Sequence, residues 1–313
     1  MFFRTLTASL FVLAACSKAP PEPAAPPSGW SLDPGGDLNA FFDCLEAEGI
    51  ALVSAHRGGP APSYPENAVE TFARTLSLIP AVIEMDVAQS ADGVLFLMHD
   101  EGLERTTTGE GEAAAQRWGR IENLRLEDET GRATTYRPAR FSEALRLVAN
   151  RTVAQIDFKR SARYEDAVAE IRAAGAGHRV ILIAYTLAQA QKLHRLAPEM
   201  MISLNMQSIS DLNAAVASGI PADRLLGFTG VDEPRPRAFR ALGERRVEVI
   251  FGTLGGAGSI DRRLAALGDD ALYADLAEGG VDIIATDRPL EAQKALDAAG
   301  RGVRAGVCGA ARN

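Results

Sequence analysis

Cysteine is scarce in this chain of 313 residues: there are three, Cys16, Cys44 and Cys308, and no C-x-x-C spacing. A zinc ribbon is therefore unsupported. Cationic side chains are in deficit. Lys and Arg number 33 against 41 Asp and Glu, a formal net charge of −8. Such a balance argues against nucleic acid as a partner. A small phosphate ligand stays open, because it needs only a few local cations. No G-x-G-x-x-G follows the first apolar run of the main body, which weakens a dinucleotide-binding reading. No loop rich in Trp or Phe offers itself for membrane entry, and the N-terminal apolar stretch is short for a membrane span.

What that stretch does resemble is an export signal. Arg4 is followed by apolar residues up to Leu13-Ala14-Ala15-Cys16. Small residues before a cysteine are similar to the lipobox of bacterial lipoproteins, in which the peptide is cut and the Cys lipidated. The resemblance implies a signal over 1–15 and lipidation at Cys16, hence a membrane anchor. Ser17, not an acidic residue, follows, which by analogy favours the periplasmic face of the outer membrane. An ordinary secretory signal with an incidental Cys is the alternative. Residues 16–36 are rich in Pro, Ala, Gly and Ser and read as a tether. In an oxidising compartment Cys44 and Cys308 could pair, joining a helix at about 38–49 to the tail, 301–313. Two free thiols are the alternative.

Beyond residue 36 short apolar runs alternate with helical patterns. The runs are 50–55, 82–87, 94–98, 152–158, 179–185, 200–205, 224–229, 247–252 and 281–286. Between them lie apolar residues at helical spacing, such as Val69-Phe72-Ala73-Leu76. Near-continuous apolar strands alternating with helices imply a parallel sheet covered on its faces. Eight repeats over about 250 residues predict an α/β fold of the (β/α)8 TIM-barrel type, spanning 37–300. An open doubly wound sheet is the alternative. A polar interval over about 100–139 reads as an insertion lying over one barrel end.

Barrel chemistry sits at the C-terminal strand ends, where His56, Glu84, Asp86, His99, Asp157 and Lys159 all fall. Glu84 and Asp86 are two apart and share a strand face. Two such carboxylates repel and are costly to desolvate, unless a divalent cation lies between them. Oxygen donors suit Ca2+ or Mg2+. A structural ion pair is the bland alternative. Asp157 could complete the metal site, and Lys159, on the same face, could meet a phosphoryl oxygen. His56 and His99 could serve as general base and acid, and Arg57 offers a planar fork to phosphate. His178, in a loop, and His194, in a helix, read as structural.

His56-Arg57-Gly58, Pro65-Glu66-Asn67, Glu84-x-Asp86, Asp92-Gly93, His99-Asp100 with Arg105-Thr106-Thr107, and Thr286-Asp287-Arg288-Pro289 together resemble the glycerophosphodiester phosphodiesterase family. The likeness covers about residues 50–297. It implies a (β/α)8 barrel with a small insertion after the second strand region, and metal-dependent hydrolysis of glycerophosphodiesters to an alcohol and glycerol 3-phosphate. It implies His56 and His99 as the acid–base pair, Glu84, Asp86 and Asp157 as metal ligands, and Arg57 and Lys159 as phosphate binders. Three positions depart from the pattern. Asp157 stands where Glu is common, and Ala68 where Thr is. Residues 251–256 replace an aromatic-Thr-x-Asn rim with Phe-Gly-Thr-Leu-Gly-Gly. Two alternatives stay open: a related barrel phosphodiesterase acting on intact lipids, and a lipoprotein that binds phosphodiesters without cleaving them. Oligomeric state is not legible.

Overall fold

The computed structural model describes residues 28–313. The expected signal over 1–15 and the lipidated Cys16 lie outside the described residues. The strands, in chain order, are β1 (Trp30–Leu32), β2 (Leu52–Ala55), β3 (Ala81–Gln89), β4 (Leu95–Leu97), β5 (Ala154–Phe158), β6 (Val180–Ala184), β7 (Met201–Asn205), β8 (Leu225–Phe228), β9 (Val249–Gly252), β10 (Ile283–Thr286) and β11 (Ala310–Arg312). Eight of them run parallel in the order β2-β10-β9-β8-β7-β6-β5-β3. Pairing of Val53 with Ala81 and Ala55 with Ile83 joins β3 back to β2 and closes the ring. The molecule is a (β/α)8 barrel with an outer layer of helices.

The period of two along each strand sorts the side chains. On β3, Ile83, Met85 and Val87 point outward into the layer shared with the helices. Val82, Glu84 and Asp86 point inward. The inner residues nearest the strand starts, among them Leu52, Val82, Ile181, Met201, Leu226 and Ile283, form an apolar floor. Higher up, Ser54 donates to Gln155, and above these the carboxylates begin. Chemistry is thus confined to the C-terminal mouth because the other end is filled with apolar side chains.

That lower end is also sealed from outside. The helix Leu38–Ala47 is N-capped by Asp37, whose side chain accepts from the Asn39 and Ala40 amides. It packs Leu38, Phe41, Phe42 and Leu45 on the floor, each such burial stabilising by about 1.5–3 kcal/mol. Residues 28–36, expected as part of a tether, instead belong to the folded body. β1 pairs antiparallel with β11, and Leu32 is buried. Arg151 donates to the Trp30 and Ser28 carbonyls, and Arg179 to that of Leu32. The composition of this segment hid it, since three residues of strand leave almost no periodic signal. The tail likewise carries a strand. Cys44 and Cys308 are bonded, across 264 residues of sequence.

The run at 94–98 is not a barrel strand. β3 continues past the rim, and β4 pairs antiparallel with that extension, Leu97 opposite Val87. A short apolar run shows no direction, which is why the sequence offers nine runs for eight barrel strands. The insertion after β4 shares a small separate core with that strand, in which Phe96 of β4 and Trp118 meet with tilted rings, centroids 5.7 Å apart. It is fastened over the mouth by Arg105 on Glu66 and by the Ser63 amide on Asp128.

Candidate active site

β2 ends directly in a one-turn 3-10 helix, His56–Gly58, with Arg57 at φ 51°. A left-handed, non-glycine residue at a strand end is a strained position that surrounding contacts must enforce. They do. The Arg57 amide donates to Glu84 Oε2 at 2.7 Å, and the Arg57 carbonyl accepts from the Asn67 amide. Asn67 is also left-handed, at φ 55°. Its side chain clamps Asp86 twice: Nδ2 donates to Oδ2 at 2.7 Å, and Oδ1 accepts from the Asp86 amide.

Glu84, Asp86 and Asp157 converge, with one oxygen of each within 4.8 Å of the others. They are 7, 1 and 5% exposed. Lys159 Nζ bridges Asp86 Oδ1 and Asp157 Oδ2, each at 2.6 Å. Burial disfavours that ammonium, but the two carboxylates outweigh it and hold the lysine pKa above its usual value. Burial opposes ionisation of Asp86 as well, yet Lys159, His99 and Asn67 keep it below the carboxylate norm. Glu84 goes the other way: burial, and then the Asp86 charge, push its pKa up. Lys159, and Arg57 with Nε 3.6 Å from Asp86 Oδ2, stand beside the three carboxylates, but Arg57 is shared with Glu66, so negative charge is left uncompensated. Asp157 Oδ1 is buried with no hydrogen-bond partner. Hard oxygen donors, unbalanced charge and a bare buried oxygen together fit a divalent cation.

The histidines arrive by different routes. His56 follows β2, while His99 follows β4, which the Met98 amide ties to the Asp86 carbonyl. Each meets a carboxylate through Nδ1 at 2.6 Å: Asp287 for His56, Asp100 for His99. Asp287 follows β10. Its amide donates to Asp261, and its Oδ2 accepts from the Gly255 amide. Burial works against the His56 imidazolium, but the Asp287 hydrogen bond and the Glu84 and Asp287 charges prevail, and its pKa is raised. Asp100 is held well below the carboxylate range by Arg105 first, then by His99. An ionised carboxylate only accepts, so Nδ1–H donates in both pairs and Nε2 remains available to the cavity.

Arg57 is committed on one side, with Nη1 on both Glu66 oxygens at 3.0 and 2.9 Å. Glu66 also takes a bidentate pair from Arg105, so Arg57, Glu66, Arg105, Asp100 and His99 form one connected chain. All seven expected site residues, His56, Arg57, Glu84, Asp86, His99, Asp157 and Lys159, line a single cavity of about 300 Å3. Its far wall is Tyr185, Asn205, Phe228 and Leu254. A second cleft of about 430 Å3 shares His56, Arg57 and Gly255 with it. Of the unusual rim, Leu254 and Gly255 reach the cavity, whereas Phe251 does not. It points outward and packs on Phe239 at 5.8 Å, as the strand period requires.

Sequence reasoning quoted Asp287, Asp100, Glu66, Asn67 and Arg105 within motifs without giving them work. Tyr185 it missed, and no local signal marks it. His178 and His194 stand apart from the cavity lining.

Comparison with known proteins places these features. A model of the Glycerophosphoryl diester phosphodiesterase family matches residues 56–219. A glycerophosphodiester phosphodiesterase of Caldanaerobacter subterraneus subsp. tengcongensis is 47% identical over 60 residues, 19% of this chain. That match spans about a quarter, 24%, of the curated relative. A crystal structure of a glycerophosphoryl diester phosphodiesterase from Parabacteroides distasonis superposes with a TM-score of 0.78 at 27% identity, covering 91% of this chain and 100% of that one. An Oleispira antarctica phosphodiesterase, solved with the product sn-glycerol-3-phosphate, shares the fold at 18% identity, a TM-score of 0.61, and coverage of 79 and 97%. With its barrel, its carboxylate trio and a family match over more than half its length, the chain belongs to the glycerophosphoryl diester phosphodiesterase family.

Proposed function

We propose that the chain hydrolyses glycerophosphodiesters to an alcohol and glycerol 3-phosphate. The observation that carries this reading is the pair of carboxylate-held imidazoles sharing one cavity with three convergent carboxylates. Glu84, Asp86 and Asp157 would hold Ca2+ or Mg2+. Once bound, the cation would supply Lewis-acid stabilisation of charge on the phosphoryl oxygens. Arg57, anchored by Glu66, presents its free edge to the diester and fixes its orientation. Lys159 adds positive charge at the same wall. His56 Nε2 takes the proton from the attacking oxygen, which belongs either to water or to the glycerol 2-hydroxyl; the second route gives a cyclic phosphodiester that water then opens to glycerol 3-phosphate. His99 Nε2–H gives its proton to the departing alkoxide oxygen. The Asp287 contact keeps neutral His56 in the Nδ1–H tautomer, which leaves Nε2 free to accept, while the Asp100 contact orients His99, which gives its Nε2 proton from the imidazolium form.

We further propose export as a lipoprotein anchored through Cys16. Supporting it is the Cys44–Cys308 bond, since disulfides persist in the oxidising compartment that export reaches. No helix among the described residues is long and apolar enough to cross a membrane.

The test is glycerol 3-phosphate release from a panel of glycerophosphodiesters, with Ca2+, Mg2+ or EDTA. Cation-dependent release is expected, with His56→Ala and His99→Ala each losing at least about a hundredfold. Binding of the diesters without release under any condition would turn the reading toward a non-catalytic binding protein.

A further inference from the structure

Tyr185 is half exposed at the cavity mouth, 52%, yet it is fastened at three points. Its amide donates to Gln189 Oε1 at 2.9 Å, and its carbonyl accepts from Asn205 Nδ2 at 3.3 Å. Its hydroxyl donates to Asp157 Oδ2 at 2.9 Å. A large aromatic left in solvent gains little from burial, so packing alone does not account for so fixed a placement. The neighbouring β6 delivers it there, since Tyr185 is the first residue beyond that strand.

The Asp157 carboxylate divides its two oxygens unequally. Oδ2 takes both the Lys159 ammonium, at 2.6 Å, and the Tyr185 hydroxyl. Oδ1 takes nothing and is buried. Asp86, by contrast, has both oxygens engaged, one by Lys159 and one by Asn67. A lone Lys159 contact would leave the Asp157 carboxylate free to swing about its Cβ–Cγ bond, because an ammonium on a flexible stem imposes no plane. A second donor on the same oxygen, coming from a different strand, removes that freedom and leaves Oδ1 unengaged on a carboxylate that converges with Glu84 and Asp86.

We infer that Tyr185 is a positioning residue for cation binding: its hydroxyl holds Asp157 so that Oδ1 stands bare as a metal ligand. The inference rests on the metal reading above. Donors that orient a ligating carboxylate govern affinity without touching the ion, and their loss weakens binding by about ten- to a hundredfold.

Tyr185→Phe is the informative variant, because it keeps the ring and deletes only the hydroxyl. Affinity of the purified protein for Ca2+ and for Mg2+ is measured by calorimetry, with no substrate present. The rise in Tm on cation addition is recorded in parallel. Wild type binding a cation, and Tyr185→Phe binding it about tenfold or more weakly with a smaller Tm rise, supports the inference. Equal affinity in the two proteins overturns it and leaves the metal reading standing. Absence of cation binding by wild type overturns both.

Discussion

At the residue scale, each imidazole is set by a carboxylate on Nδ1, and the two carboxylates come from distant parts of the chain. Asp287 is itself held by Asp261 and Gly255, so the His56 ring inherits the rigidity of the β9 and β10 ends. Asp287 also raises the His56 pKa. Replacing it with Asn removes the charge while keeping an acceptor. For Asp287→Asn, kcat/KM is expected to fall about tenfold or more, a fraction of a full acid–base contribution. The His56 pKa drops toward its ordinary value, so a base limb that needs neutral imidazole moves to lower pH. A kcat/KM–pH profile reads both effects, and an unmoved limb would remove Asp287 from the role.

At the element scale, the turn after β2 decides where Arg57 and His56 point. Gly58 lies at φ 85°, and a Cβ there would overlap the Phe72 ring of the helix Val69–Leu78. Thr75 of that helix also donates to the Gly58 carbonyl. Close helix approach and left-handed backbone both call for glycine at this one position. Gly58→Ala is expected to destabilise the fold by at least about 1–2 kcal/mol from the backbone alone. Displacement of the turn would cost activity too, since the Arg57 amide could no longer reach Glu84. Urea unfolding and turnover together check this.

At the scale of the whole molecule, the two barrel ends carry opposite tasks. The lower end is sealed by the helix Leu38–Ala47, by the β1–β11 pair and by the Cys44–Cys308 bond, which limits the unfolded chain and contributes about 2–4 kcal/mol. Two carboxylates lie beneath the floor, Glu248 buried and Asp282 half-buried. Burial pushes Glu248 up to about 8, and its Oε2 has no partner. Burial also lifts Asp282, to about 6, despite the Val249 amide it accepts from. The folded state therefore keeps protons that an unfolded chain releases near pH 4. Their contribution to stability is best at low pH, declines from about pH 4, and levels off above about 6 for Asp282 and about 8 for Glu248. Glu248→Gln should leave Tm nearly unchanged at about pH 4 and raise it over wild type at about pH 9. Parallel pH dependence in both proteins would contradict this.

Short-range periodicity was enough to read the barrel, its helical layer and the shared face of Glu84 and Asp86, because each depends only on residues a few positions apart. It was enough, too, to bring His56, Arg57, Asp157 and Lys159 to strand ends. What it left open turns on ring closure. His56 meets Asp287 across 231 residues only because β10 pairs with β2. Tyr185 reaches Asp157 only because β5 and β6 are neighbours. His99 enters on an antiparallel ribbon that the short apolar run 94–98 cannot announce. Residues 28–36 pack although their composition suggests a tether, because β11 offers them an edge. Strand identity is a local property of the chain, whereas the partner of each side chain is set by which strands lie side by side.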